Sequence, residues 1–150
     1  MIPIRRRGSI DRGLPVRIYS KRFLVPDDAV DRQGHVNNLA YVAWMQDVAI
    51  EHSAAVGWPM ERHLANGAGW VVRAHFVEYL RPTCSGERMA IHTWVPEFTQ
   101  RHTPRRYLFV RDDDTQLVAR ARPGHRAYGR GRLAGDFVMF TDMLLGRLRL

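Results

Sequence analysis

At 150 residues the chain suits one domain that buries roughly 68 to 70% of its unfolded surface, and no apolar run approaches the ~20 residues that cross a bilayer. A lone cysteine, Cys84, excludes an intramolecular disulfide, and no apolar segment of signal-peptide length follows the basic start, so the expected setting is a reducing cytoplasm. The net charge of +8 is uneven, with 12 basic and 10 acidic side chains in residues 1–99 against 11 and 5 in residues 100–150; 22 of the 23 basic residues are Arg.

Met1 to Gly13 includes Arg5, Arg6 and Arg7 together and has no apolar period. Residues 1–15 are therefore expected to form a basic mobile arm. Val16 to Val25, "VRIYSKRFLV", partly alternates apolar with polar and predicts a strand, stopped by Pro26. After the loop "PDDAVDRQGHV", Tyr41, Val42, Met45, Val48, Ala49, His52, Ala55 and Val56 recur at three- and four-residue steps. That spacing predicts one long helix from Asn38 with a broad apolar face. Asn37 or Asn38 suits its N-cap, Gly57 suits a left-handed C-terminal cap, and Pro59 forbids continuation.

A loop containing Asn66, Gly67 and Gly69 leads into a strand-rich half. Trp70 to Leu80, Arg88 to Glu97, Arg105 to Arg111 and Gln116 to Arg122 are four predicted strands, with "PTCSGE", "FTQRHT" and "DDDT" between them. No internal repeat is present. The order predicts an α+β fold, a long helix lying across an antiparallel sheet. Beyond Arg122 the sequence mixes Gly, Pro and Arg, and only Phe137 to Phe140 offers a short apolar run. The last 28 residues read as a loop with one short strand or helix.

The densest polar cluster, "DRQGHVNN", stands directly before the long helix. The first amides of a helix lack internal partners, so they can donate to a carbonyl oxygen that gathers negative charge. A nearby carboxylate, Asp31, could attack the same carbonyl carbon or deprotonate a water that does. Gln33 and His35 could orient the water or the carboxylate, and the apolar helix face could receive an acyl or aryl tail. Each residue also has a plain structural role open to it: Asp31 as a loop cap, Gly34 as a turn residue, Asn37 and Asn38 as helix caps.

The stretch "DRQGHVNNLAYVAWMQDVAIEH" resembles the signature of hotdog-fold acyl-CoA thioesterases of the 4-hydroxybenzoyl-CoA thioesterase type. In that signature an Asp and two intervening residues precede Gly-His-Val-Asn-Asn, then Tyr, then Trp. The likeness continues through "GWVVRAHFVEYLRPTCSGERMAIHTWV" and covers roughly residues 16–122, the expected thioesterase domain. From about Pro123 the chain departs from the family's usual long final strand, so residues 123–150 read as an atypical segment completing or flanking the sheet.

The resemblance implies a helix wrapped by an antiparallel sheet, a homodimer or homotetramer with sites at the subunit interface, and hydrolysis of an acyl-CoA thioester without a cofactor. It puts the catalytic carboxylate at Asp31 and the amides that polarise the thioester at Gly34, His35 and Val36. Asn37, Asn38 and Tyr41 become candidates for substrate binding. Acyl-ACP thioesterases with a related loop alternate Asp, Asn and His, positions held here by Asp31, Gln33 and His35. Many members carry a second acidic residue where this chain has Ala29. Some hotdog thioesterases use a helix glutamate, which makes Asp47 and Glu51 alternatives, though both lie off the apolar stripe.

Arg73, Arg81, Arg101, Arg105 and Arg106 are candidates for gripping coenzyme A phosphates, since a guanidinium fork matches phosphate well. His52, His63, His75, His92, His102 and His125 lack metal-ligand spacing, so no metal is expected. The His and Glu context of hotdog dehydratases is missing. A basic hotdog-like module that binds acyl-CoA or nucleic acid without turnover is the alternative. Nucleic acid is not the expected partner, because no Gly-aromatic RNA-binding motif or zinc knuckle accompanies the charge.

Overall fold

The computed structural model describes residues 18–72, 74–96, 104–113, 115–122 and 137–141. The basic arm expected over residues 1–15 and most of the segment beyond Arg122 lie outside the described residues. Strand β1 (Tyr19–Leu24) leads through a 3₁₀ turn at Asp27–Ala29 to helix α1 (Asn38–Ala55). A short helix α2 (Met60–Ala65) follows, then β2 (Ala68–Val72), β3 (Phe76–Tyr79), β4 (Arg88–Trp94), β5 (Arg106–Arg111), β6 (Leu117–Arg122) and β7 (Phe137–Thr141). Five strands form one antiparallel sheet in the order β1-β4-β5-β6-β3, and β2 pairs with β7 in a second, two-stranded sheet. This is the α+β hotdog plan, with α1 packed against β1 and β4.

The predicted helix starts and stops where its caps direct. Asn37 is the N-cap, its side chain accepting from Leu39 N at 2.8 Å. Gly57 closes the other end at φ +87°, a conformation that L side chains rarely adopt, with its N–H donating to Ala54 O. Pro59 ends α1 as expected, but it also opens α2 as N-cap, so the chain resumes helix where the sequence reads as loop.

The expected continuous strand from Trp70 to Leu80 is two strands. β2 ends at Val72 and pairs with β7, whereas β3 begins at Phe76 and pairs with β6. Ala74 and His75 lie between the two strands, and the chain passes there from one sheet to the other. The short apolar run near the C-terminus is a strand, β7, at Phe137–Thr141.

The core is built by pairing large with small. On the face toward α1, Phe109 lies between Ile91 and Ala119, and Tyr107 between Thr93 and Ala121. All six are buried, as are Tyr41, Met45 and Val48 from the helix. Such interlocking gives the density expected of a protein interior. The buried stripe of α1 is Tyr41, Met45, Val48, Ala49 and His52, narrower than the sequence reading because Ala55 and Val56 are exposed.

At the open edge of the sheet, Lys21 Nζ pairs with Glu51 Oε1 at 2.5 Å and Tyr19 O–H donates to Glu51 Oε2 at 3.2 Å. Glu51, an alternative catalytic carboxylate in the sequence, thus ties α1 to β1. Asp47 stays exposed.

Candidate functional site

The polar cluster folds into a tight turn that ends at the start of α1. Gly34 N donates to Asp31 O at 3.0 Å, with Gly34 at φ +81°, so the turn uses a conformation that glycine adopts without steric cost. Asp31 N donates to His35 O at 2.9 Å, and Val30 bridges Val36. The turn is pinned from outside by Val36 N donating to Thr83 O and Asn37 N to Ala29 O, each at 2.8 Å.

The two oxygens of Asp31 differ. Oδ1 accepts from Gln33 N at 2.8 Å and more weakly from His35 N at 3.4 Å. Oδ2 has no hydrogen-bond partner among the described residues. One oxygen therefore fixes the carboxylate and the other is uncommitted among the described residues.

The amides divide in the same way. Of those expected to polarise a carbonyl, Gly34 N and Val36 N are committed within the protein, and His35 N leans on Asp31. At the helix start, Leu39 N is held by Asn37 Oδ1 and Ala40 N by Asn37 O at 3.0 Å. Asn38 N–H, the first amide of α1, meets no acceptor among the described residues. It lies at the positive end of the helix dipole.

A cavity of about 440 Å³ opens here, within the range of small-molecule sites. Asp31, Gln33, His35, Val36, Asn37, Asn38 and Tyr41 all line it. Of the residues that the resemblance places at the site, Asp31, Gln33 to Asn38 and Tyr41, all but Gly34 are thus gathered around one space, and Gly34 shapes the turn. The facing wall runs from Tyr79 to Thr83, of which the sequence assigns a role only to Arg81, as a phosphate grip. Its signal was the "YLRPT" run, legible only as part of the resemblance.

That wall is braced by the sheet. Leu80 N and Arg81 N donate to Val118 O, and Arg81 Nη1 donates to Leu117 O. Arg111 reaches Glu87 Oε2 and Pro82 O at 2.7 Å and Gln116 Oε1 at 2.5 Å. Ser85 bonds to Asp27 and Gly86 N donates to Val25 O, which joins the loop after β3 to the end of β1.

Tyr41 and Tyr79 meet edge to face at 5.3 Å, and Tyr41 also contacts Trp44 and Phe109. Tyr79 O–H donates to Asn38 O at 3.3 Å. Tyr41 O–H donates to Thr83 Oγ1 at 3.1 Å. Burial raises the pKa of both phenols, so both remain protonated donors at neutral pH.

Of the arginines proposed for phosphate, Arg81 is at the cavity and Arg106 is exposed on β5. Arg105 is half-buried: its Nη1 lies 2.8 Å from His52 Nδ1 and 3.3 Å from Thr93 Oγ1, between helix and sheet. Arg73 and Arg101 lie outside the described residues. Among the described residues, no group of three or more His, Cys, Asp or Glu could hold a metal ion. No helix there is long and apolar enough to cross a membrane.

The sequence matches the family model described as the thioesterase-like superfamily over residues 24–148. The match extends past Pro123, to residue 148. No curated protein sequence matches the chain. Among solved structures, a 1,4-dihydroxy-2-naphthoyl-CoA thioesterase from Synechocystis is similar at 11% identity and a TM-score of 0.70, with 85% of each chain covered. A hypothetical protein from Thermus thermophilus is similar at 19% identity and a TM-score of 0.68, covering 82% of this chain and 83% of that one. A hypothetical protein from Staphylococcus aureus, in complex with CoA, is similar at 10% identity and 0.67, covering 83% of this chain and 69% of that one. At these identities the likenesses establish the fold.

Proposed function

Since this chain belongs to the thioesterase-like superfamily, we propose that it hydrolyses an acyl-CoA thioester to the free acid and CoA, with Asp31 as nucleophile or general base. The observation that carries this reading is the pairing, on one cavity, of an Asp31 oxygen without a partner and the uncommitted amide of Asn38. The amide stabilises the oxyanion that forms as the thioester carbonyl is attacked. Asp31 Oδ2 either attacks the carbon directly, giving an anhydride that water then opens, or removes a proton from the attacking water. In both routes the thiolate of CoA leaves and is protonated, and water supplies the oxygen of the product acid.

Asn37 acts in this scheme by satisfying Leu39 N and Ala40 N, which leaves Asn38 as the available donor. The role is assigned to Asn38 rather than to Gly34 or Val36 because their amides are already engaged. Gln33 and His35 line the approach, and Tyr41 bounds the acyl space. A panel of short-chain, long-chain and aromatic acyl-CoAs, followed by release of free thiol, tests the proposal. Thiol release from at least one is expected, and none from any would overturn it.

We further assign the protein to the cytoplasm, where acyl-CoA is found, and to a homodimer or homotetramer. Among the described residues β3 lies at an edge of the sheet, and Phe76 and Tyr79 on it and Leu80 just after it are exposed by 40% or more. An edge strand with exposed apolar side chains favours pairing with a second copy. Sedimentation at micromolar concentration should show a dimer or tetramer; a monomer alone would exclude this assembly. The non-catalytic binding reading rested on the arginine-rich arm and tail, which lie outside the described residues, and no observation at the cavity favours it.

A further inference from the structure

Tyr41 and Thr83 are 3% and 1% exposed, yet both line the cavity. Their hydroxyls are bonded to one another at 3.1 Å. A pair of hydroxyls holds two protons, and their mutual bond uses one. Whichever partner donates, one O–H is left over, and neither side chain has another hydrogen-bond partner among the described residues. A buried donor without an acceptor is costly. The position of the pair is also fixed: Tyr41 stands one turn into α1 from Asn38, and Thr83 is held through its carbonyl by Val36 N.

We propose that this hydroxyl pair is a specificity site, and that the preferred acyl group carries an oxygen, as hydroxyl or carbonyl, which accepts the remaining O–H close to the thioester. The inference rests on the thioesterase reading and deepens it. A plain hydrocarbon acyl group leaves the donor buried and unmatched, whereas an oxygen-bearing one satisfies it. A site built to bond a substrate oxygen discriminates against the analogue that lacks it. The neighbouring rings of Tyr41 and Tyr79 supply an apolar wall beside the hydroxyl pair, and the polar residues of the Asp31 turn also line the cavity.

The test uses matched pairs of CoA thioesters: 3-hydroxybutyryl against butyryl, and 2-hydroxybenzoyl against benzoyl. The protein is expected to favour the oxygen-bearing member of at least one pair by about tenfold in kcat/KM, the scale of one hydrogen bond. In the double variant Tyr41→Phe with Thr83→Val, which replaces both partners by apolar groups of nearly the same shape, that ratio is expected to fall to about 1. Thr83→Ser should preserve it. Loss of folded protein or of general activity affects both members alike and cancels in the ratio. Equal use of both members by the parent protein, or an unchanged ratio in the double variant, overturns the inference while leaving thioester hydrolysis intact. If neither member of any pair releases thiol, the thioesterase reading fails and this inference fails with it.

Discussion

Asp31→Asn is expected to lower kcat for thioester hydrolysis by about a thousandfold, within the range for loss of a general base or nucleophile, with little change in KM. The substitution is chosen because Asn keeps Oδ1, so the bonds from Gln33 N and His35 N that hold the turn persist. What it removes is the charge and the basicity of the second oxygen. Steady-state thiol release measures the loss, and a thermal melt within experimental error of the parent separates chemistry from folding. Activity within about tenfold of the parent would take Asp31 out of the reaction. A large rise in KM with kcat preserved would make it a binding residue instead.

The second large effect concerns stability in acid. His52 is buried on α1 with Nδ1 against the Arg105 guanidinium. Because Arg only donates, His52 Nδ1 accepts and the ring is neutral. Burial, and secondarily the Arg105 charge, lower its pKa from 6.5 to about 4. Between those values the unfolded chain binds a proton that the folded chain refuses, so stability rises with pH across that window and falls as pH is lowered through it. The contribution is fully present above pH 6.5 and has been lost by about pH 4. At 1.36 kcal/mol per pH unit, the loss amounts to at most about 3 kcal/mol. Urea melts at pH 7 and pH 4 on the parent and on His52→Asn, which retains an acceptor for Arg105 but cannot titrate, isolate this effect. The parent should lose more stability than the variant by that amount; an equal loss in both would show that His52 does not govern acid stability.

The helix, its caps and the strands that follow were legible because each is written locally. Tyr41, Met45, Val48 and His52 keep helical spacing, Asn37 and Gly57 mark the ends, and turn residues separate the later strands. Pairing between distant segments was not legible. Nothing in "WVVRAHFVEYL" states that Val72 joins β7 while Phe76 joins β6, since that choice is made by strands more than forty residues away. The same limit applied to the site. Asp31 and the start of α1 are contiguous in sequence and could be read together. Thr83 faces them only because Val36 N and Tyr41 O–H both reach across to it. Arg105 misled for a related reason: an arginine read from sequence as the start of a strand looks exposed until the helix residue it meets, His52, is in place.

The bonds of the Arg111 guanidinium to Glu87, Gln116 and Pro82 have a consequence for association. They fix the rim of the cavity to the sheet during folding, so the conformational entropy of that loop is already lost before any ligand arrives. A ligand then encounters a wall that needs no ordering, and less of its interaction free energy is diverted to immobilising residues of the protein. Binding at this rim is accordingly set by how well a molecule matches a surface already in place.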